Sequence, residues 1–203
     1  MNIKLFNTKI TLSYPLVAGL TLILVLDYSG MAFCCVLSAF CHELGHILAI
    51  GYFKAPIKEI NLSAFDINIK DLKKYQRPFK AEIIITLSGV FVNYVLFLLA
   101  IMLYNSSNLY IIKYFAMANL SLGIFNTLPV ETLDGGNALQ LILQRNFSDK
   151  AVYVITLITS LLCVIPIGIL GFLVLLRSPY NFTILGSALY LVSAIVSRIM
   201  NTY

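Results

Sequence analysis

The chain contains only two histidines, and both lie in the motif HELGH at residues 42–46. His42 and His46 are four residues apart, so on an α-helix their side chains share one face, about 6 Å apart along the axis. Two neutral imidazoles on one face can bind the same zinc ion. Glu43 lies next to them, and its carboxylate can take a proton from an attacking water. The motif predicts a metal-dependent hydrolytic site; an incidental pair of helix histidines is the alternative.

A catalytic zinc site needs a third protein ligand and keeps a fourth position open. Because no histidine remains, a carboxylate or a thiolate must supply that ligand. Asp134 is the better candidate, since Pro129 ends the preceding helix and the glycine pair after Asp134 permits a sharp turn. Glu131 is the competing ligand. An ordinary Asp-Gly surface turn is the alternative interpretation of Asp134.

The helix that must carry the histidines is strongly apolar. Residues 30–53 form a run of 24 residues in which His42, Glu43 and His46 are the only strongly polar members. That length can span a membrane, and ionisable residues inside a span usually mark a functional site. A composition of 60% hydrophobic and 11% charged residues excludes an ordinary soluble domain. The basic excess collects in loops between apolar runs, which does not indicate a nucleic-acid partner.

Six apolar runs predict an all-α polytopic membrane protein with about six transmembrane helices, folded in the lipid bilayer as one domain over residues 1–203. The runs are 10–26, 30–53, 81–104, 109–128, 151–176 and 180–196. The first run is similar to a signal peptide, but no small-x-small cleavage site follows it, so we interpret it as a span. A short helix is expected at residues 138–143.

The longest polar insert, residues 54–80, lies between the second and third spans. Its apolar and polar residues alternate, and the phase shifts after Phe65. This pattern predicts a short β-hairpin or edge strand. A solvated basic loop is the alternative.

The four cysteines lie in apolar segments and show no disulfide spacing, so we interpret them as small apolar side chains. Cys41 adjoins His42 but points about 100° away from it on a helix, which favours packing over metal binding.

The placement of lysine and arginine predicts the orientation of the spans. If six spans alternate, all but Lys113 and Arg177 of the 14 lysines and arginines fall on one side. The positive-inside rule then places both termini in the cytosol. The second span runs inwards, so His42 and His46 are expected in its inner half, and the fourth span brings Asp134 to the same depth.

The two motifs together resemble the site-2 protease family of intramembrane zinc metalloproteases. HELGH lies on one span, and the pattern N-x-x-P-x-x-x-L-D-G lies on a later one, at residues 126–135. The resemblance implies that His42, His46 and Asp134 bind zinc and that Glu43 is the catalytic base.

A third element of the resemblance is SGVFVN at residues 88–93, similar to the family's G-P-x-x-N sequence. It implies that Asn93 faces the active site; a polar residue that joins two helices is the alternative. Three departures stand out. Val90 replaces a proline, Thr132 stands where a second proline is common, and Glu131 adds a charge.

The resemblance covers residues 30–137, which form the expected metal-site core. The chain leaves no room for the PDZ or CBS domains that are frequent in this family, so it is closest in kind to compact members such as the sporulation sigma-factor processing branch. The implied function is zinc-dependent hydrolysis of peptide bonds in or next to a transmembrane segment. The substrate would be a membrane protein or a membrane-associated peptide.

Asn93 and Asn126 are expected to hydrogen-bond the substrate backbone or the developing oxyanion. The expected location is a bacterial cell membrane, with the site near the cytosolic side. A membrane metal-binding or transport protein is the alternative, although a transport path would need several sets of ligands. Nothing in the sequence indicates an oligomer.

Overall fold

The computed structural model describes residues 2–5, 8–53, 57–62, 67–71, 77–177 and 183–202. The chain divides into two compact units, Met1–Gly123 and Ile124–Tyr203. The elements in chain order are β1 (Asn2–Leu5), β2 (Thr8–Leu12), α1 (Tyr14–Leu26), α2 (Met31–Tyr52), β3 (Ile57–Leu62), β4 (Ile67–Asp71), α3 (Phe79–Ser107), α4 (Tyr110–Thr127), α5 (Asp134–Leu143), α6 (Asp149–Arg177) and α7 (Thr183–Thr202).

The four strands form one sheet in the order β1-β2-β3-β4. The outer pairs, β1–β2 and β3–β4, are antiparallel, whereas β2 and β3 are parallel. Strands β3 and β4 lie in the polar insert, and the register between them shifts between Ile57 and Glu59. The predicted phase shift after Phe65 lies outside the described residues.

The first apolar run does not begin as a helix, contrary to the sequence prediction. Residues 10–12 belong to β2, and α1 starts at Tyr14. The alternating Ile-Thr-Leu sequence suits a strand, because β-branched residues pack well on a pleated surface. Two local features favour a helix start at Tyr14. The Ser13 hydroxyl caps the helix by accepting a hydrogen bond from the Leu16 N–H at 3.4 Å, and Pro15 occupies the first turn.

Helices α2 and α3 of the first unit pack closely because small residues lie where they meet. A Cβ added at Gly45 would lie 2.9 Å from the Ser88 carbonyl oxygen and 3.2 Å from the Gly89 Cα atom. Small residues allow this kind of close backbone approach between membrane helices. Ile50 and Ile85 add a buried apolar cluster to the same helix pair. The backbone of α3 is thereby held against α2.

The second unit is built around α6. Its core contains buried apolar residues from the α4–α5 connection, α6 and α7: Val130, Leu133, Val164, Leu191 and Ile195. The Ser160 hydroxyl of α6 accepts a hydrogen bond of 3.1 Å from the Glu131 backbone N–H. A Cβ added at Gly171 would lie 2.7 Å from the Leu185 nitrogen, so α6 and α7 are in close backbone contact.

A helix lies over each of the six apolar runs. Among the described residues, α2, α3 and α6 are long and apolar enough to cross a membrane, while α1 and residues 184–197 of α7 are shorter apolar helices. Large apolar side chains on the spanning helices are exposed, among them Phe91, Met102 and Leu162. Such extensive apolar exposure suits contact with lipid rather than water. The chain is an integral membrane protein with a mostly helical fold.

Candidate metal centre

The histidine pair lies one turn apart on α2, inside the first unit. The Nε2 atoms of His42 and His46 are 3.2 Å apart, and the ring planes meet at 80°. His42 is buried, with 5% of its surface exposed. Two nitrogens on separate rings thus converge on one point.

The other nitrogen of each ring meets an oxygen. His42 Nδ1 lies 2.6 Å from Asn93 Oδ1, and His46 Nδ1 lies 2.8 Å from the Ile85 carbonyl oxygen. The Ser88 hydroxyl, which donates to that same carbonyl at 2.7 Å, is 3.3 Å from His46 Nδ1. Carbonyl oxygens only accept hydrogen bonds, so each Nδ1 carries the proton. The lone pairs of both Nε2 atoms are therefore left for a metal ion.

Gly89 of α3 faces the converging nitrogens. A Cβ added there would lie 2.5 Å from His46 Nε2 and 2.7 Å from His42 Nε2. An ordinary side chain cannot occupy that position without displacing the rings. The glycine of the predicted third-span element thus provides space beside the two histidine rings, and its backbone φ is not in the left-handed region.

The pair fits zinc. Zn–N bonds are about 2.0–2.1 Å long, so two such bonds subtending the 3.2 Å separation would meet at about 100°, near the tetrahedral angle. Both imidazoles also donate their Nδ1–H to an oxygen, the usual arrangement around metal-binding histidines.

Glu43 follows His42 on α2 and is half-buried. A helix turns by about 100° per residue, so its carboxylate leaves the helix beside the histidine face rather than on it. That position suits a group that acts next to a metal ion and is not required as its ligand.

Asp134 is the first residue of α5 in the second unit, not part of a sharp turn as the sequence predicted. Gly135 and Gly136 continue the helix. They are needed because an added Cβ at Gly135 would collide with the Thr127 carbonyl, and one at Gly136 with the Val130 carbonyl. A carboxylate in the first turn of a helix is stabilised by the helix dipole. Asp134 is half-buried.

The first unit thus offers two imidazoles, His42 and His46, and the second unit offers the Asp134 carboxylate. Two imidazoles and one carboxylate are a ligand combination that zinc takes in hydrolytic enzymes. Asn126, in the last turn of α4, and Glu131, in the connection to α5, are both half-buried. The four cysteines are free.

Asn93 of α3 forms hydrogen bonds with residues of α2 and α4. Its side chain is completely buried, and its Nδ2 donates to Asn119 Oδ1 at 2.9 Å and, at longer range, to the Ser38 hydroxyl and carbonyl oxygens at 3.3 and 3.4 Å. With Oδ1 on His42, both ends of the amide are engaged inside the first unit. This geometry suits the orientation of His42, and the contact of Asn93 with substrate stays a prediction.

Asn119 is the functional candidate that the sequence analysis missed. It is also completely buried, and its Nδ2 donates to the Phe115 carbonyl oxygen at 2.9 Å. A sequence signal existed, since Asn119 and Asn126 are seven residues apart in an apolar run and share a helix face.

Comparisons with known proteins identify similar sequences. Residues 105–166, which include Asp134 but not the histidines, match the sequence model of Peptidase family M50. The chain is 29% identical over 137 residues to "Stage IV sporulation protein FB" of Bacillus subtilis (strain 168), covering 66% of this chain. The match spans about half of that relative, 48% of its length.

The fold also has a solved counterpart. The structure of "Site-2 Protease from Methanocaldococcus jannaschii" matches with a TM-score of 0.70 and 18% sequence identity. The match covers 97% of this chain and 94% of that protein. With the HELGH motif at residues 42–46 and the Asp134 motif that follows it, these matches show that the chain is similar to peptidases of family M50 and, in its fold, to a site-2 protease.

Proposed function

We propose that this protein is an intramembrane zinc metalloprotease that hydrolyses peptide bonds in or next to transmembrane segments of membrane proteins. The observation that carries the proposal is the converging imidazole pair in an apolar, membrane-length helix. The two Nε2 atoms are 3.2 Å apart, and each ring is oriented by a hydrogen bond from its Nδ1. Glu43 follows the first of these histidines directly.

The proposed zinc ligands are His42, His46 and Asp134. Asp134 is favoured over Glu131 because it occupies the first helical position of α5, where the close packing of Gly135 and Gly136 fixes its backbone. Glu131 lies in the irregular connection before that helix.

When bound, zinc would act as a Lewis acid on the scissile carbonyl and would lower the pKa of a water molecule towards neutral pH. Glu43 takes the proton from the attacking water and later passes it to the leaving amine. His42 and His46 keep their Nδ1 protons throughout, because those protons are held by oxygens. Asn126 is proposed to hydrogen-bond the substrate backbone or the developing oxyanion.

The substrate must be extended before it is cut, because a helix hides its peptide carbonyls in its own hydrogen bonds. An edge strand can hold an extended segment by strand addition. Of the two strands in the insert, β3 lies between β2 and β4, so β4 is the one at the edge of the sheet. We therefore propose β4 as the strand to which substrate adds.

The proposed orientation has six spans, both termini in the cytosol and the site near the cytosolic face of a bacterial membrane. The distribution of basic residues supports it, since only Lys113 and Arg177 would lie outside. A metal transporter is the weaker alternative, because both histidines of the chain lie in one motif and a transport path would need several sets of ligands.

The proposal is tested by comparing the membrane proteomes of bacterial cells that express the wild-type chain or the Glu43→Gln variant. The wild type should produce new protein termini within or beside transmembrane segments, and the variant should not. Asp149→Asn is the matched control, because it makes the same chemical change at an exposed position. If the same termini appear with Glu43→Gln as with the wild type, the protease assignment fails.

A further inference from the structure

We propose that Asn119 is a positioning residue that, through Asn93, keeps His42 in the tautomer able to bind metal. This inference rests on the proposed zinc site for its purpose. All the contacts that carry it lie within the first unit, on α2, α3 and α4.

The series of hydrogen bonds starts at a backbone carbonyl, which can act only as an acceptor. The Phe115 backbone carbonyl is one turn before Asn119 on α4, and a carbonyl oxygen can only accept. Asn119 must therefore direct its NH₂ group towards Phe115 and its Oδ1 away. This removes the ambiguity that usually attends the assignment of amide nitrogen and oxygen.

The orientation of Asn119 fixes the orientation of the Asn93 amide. Because Asn119 presents an oxygen, Asn93 must present its NH₂ group to it, and the 2.9 Å contact is the shortest that this group makes. The Asn93 oxygen then faces His42 Nδ1 at 2.6 Å and requires a proton there. The Nε2 lone pair of His42 is left for the metal.

The opposite orientation of the Asn93 amide would change the His42 tautomer. If the Asn93 amide turned over, its NH₂ group would face His42 Nδ1 and would favour the proton on Nε2. A protonated Nε2 cannot bind a metal ion. His46 needs no such relay, because its Nδ1 meets the Ile85 backbone carbonyl directly.

Both asparagines are completely buried, so water does not compete for their amide groups. Buried polar networks between helices that are fully connected hold a single arrangement. Partners that orient a ligating histidine typically change metal affinity or activity by about 10–100-fold when they are removed.

The test compares two replacements of similar size. Asn119→Leu removes the acceptor for Asn93, whereas Asn119→Asp keeps an oxygen that accepts in either protonation state. A packing role for Asn119 predicts the opposite order, because leucine is the better residue in an apolar helix. Ser121→Leu, at an exposed position of α4, is the control for added bulk.

The first readout is the tautomer itself. The chain has only two histidines, so nitrogen-15 NMR of the ¹⁵N-histidine-labelled full-length protein in micelles, without added metal and at mildly alkaline pH, reports two rings. Both rings should carry the proton on Nδ1 in the wild type, in Asn119→Asp and in Ser121→Leu. In Asn119→Leu, His42 should become a mixture while His46 stays unchanged, and Asn119→Ala should do the same if the leucine variant fails to fold.

The second readout is zinc affinity, measured by competition with a chelator. It should fall by about tenfold in Asn119→Leu and stay within about threefold of wild type in Asn119→Asp. An unchanged His42 tautomer in Asn119→Leu or Asn119→Ala would overturn the proposal, as would equal losses in the leucine and aspartate variants. Neither readout needs proteolysis, so a failure of the proposed function would be distinguishable.

Discussion

Gly89→Ala should displace the imidazole rings of His42 and His46. The added methyl group would lie 2.5 Å from His46 Nε2 and 2.7 Å from His42 Nε2, whereas ordinary van der Waals contacts are 3.4–4 Å. The rings or the helices must therefore retreat by about 1 Å, several times the ~0.2 Å tolerance of a metal–ligand distance. Displacements of that size cost about 100-fold in a positioned site.

We expect Gly89→Ala to lower zinc affinity by about 100-fold and to lower proteolysis at least as much. Overpacking should also destabilise the protein by about 1–3 kcal/mol. Zinc affinity would be measured by chelator competition on the purified full-length protein, with thermal unfolding to confirm that it folds.

Gly51→Ala is the matched control, because nothing lies within 4 Å of a Cβ added at that position of α2. It should bind zinc as the wild type does and be neutral or slightly stabilising, since alanine favours helix more than glycine does. If folded Gly89→Ala binds zinc with wild-type affinity, the reasoning that places the metal between the two Nε2 atoms is wrong.

Two further predictions concern the third ligand and the topology. Asp134→Ala should lower zinc affinity by more than about 100-fold, which exceeds the effect of residues that only orient ligands. Glu131→Ala should leave zinc affinity unchanged. The reverse result would move the ligand three residues upstream. For the topology, single cysteines would replace the exposed residues Asn146 and Ser107 in a background without native cysteine. They should be labelled from opposite sides of the membrane, and labelling from one side would contradict the six-span orientation.

The helices were predictable because their cause is local. The run at residues 30–53 begins and ends with the two residues, Gly30 and Phe53, that cap α2 in the structure. The length of an apolar run and its flanking residues are written in the sequence. The parallel pairing of β2 with β3 was not predictable, because it joins strands separated by the whole of α1 and α2.

At the candidate site, the position of the two histidines was predictable, whereas their hydrogen-bond partners were not. The spacing of His42 and His46 follows from helix geometry, so the sequence predicts their shared face. The role of Asn93 depends on which residue α4 places beside it, and sequence spacing does not reveal that Asn119 is the one. Gly135 indicated a sharp turn, but a glycine can equally mark a close backbone approach, which is what the structure has there.

The central claim is that Glu43 performs proton transfer beside a zinc ion that it does not hold. The most direct test measures zinc content and cleavage on one preparation of purified Glu43→Gln, with a substrate identified from the membrane proteome. We expect zinc content equal to that of the wild type and a loss of cleavage of about 10²–10⁴-fold, the usual contribution of a general base. Cleavage near the wild-type rate, or loss of zinc along with cleavage, would contradict it.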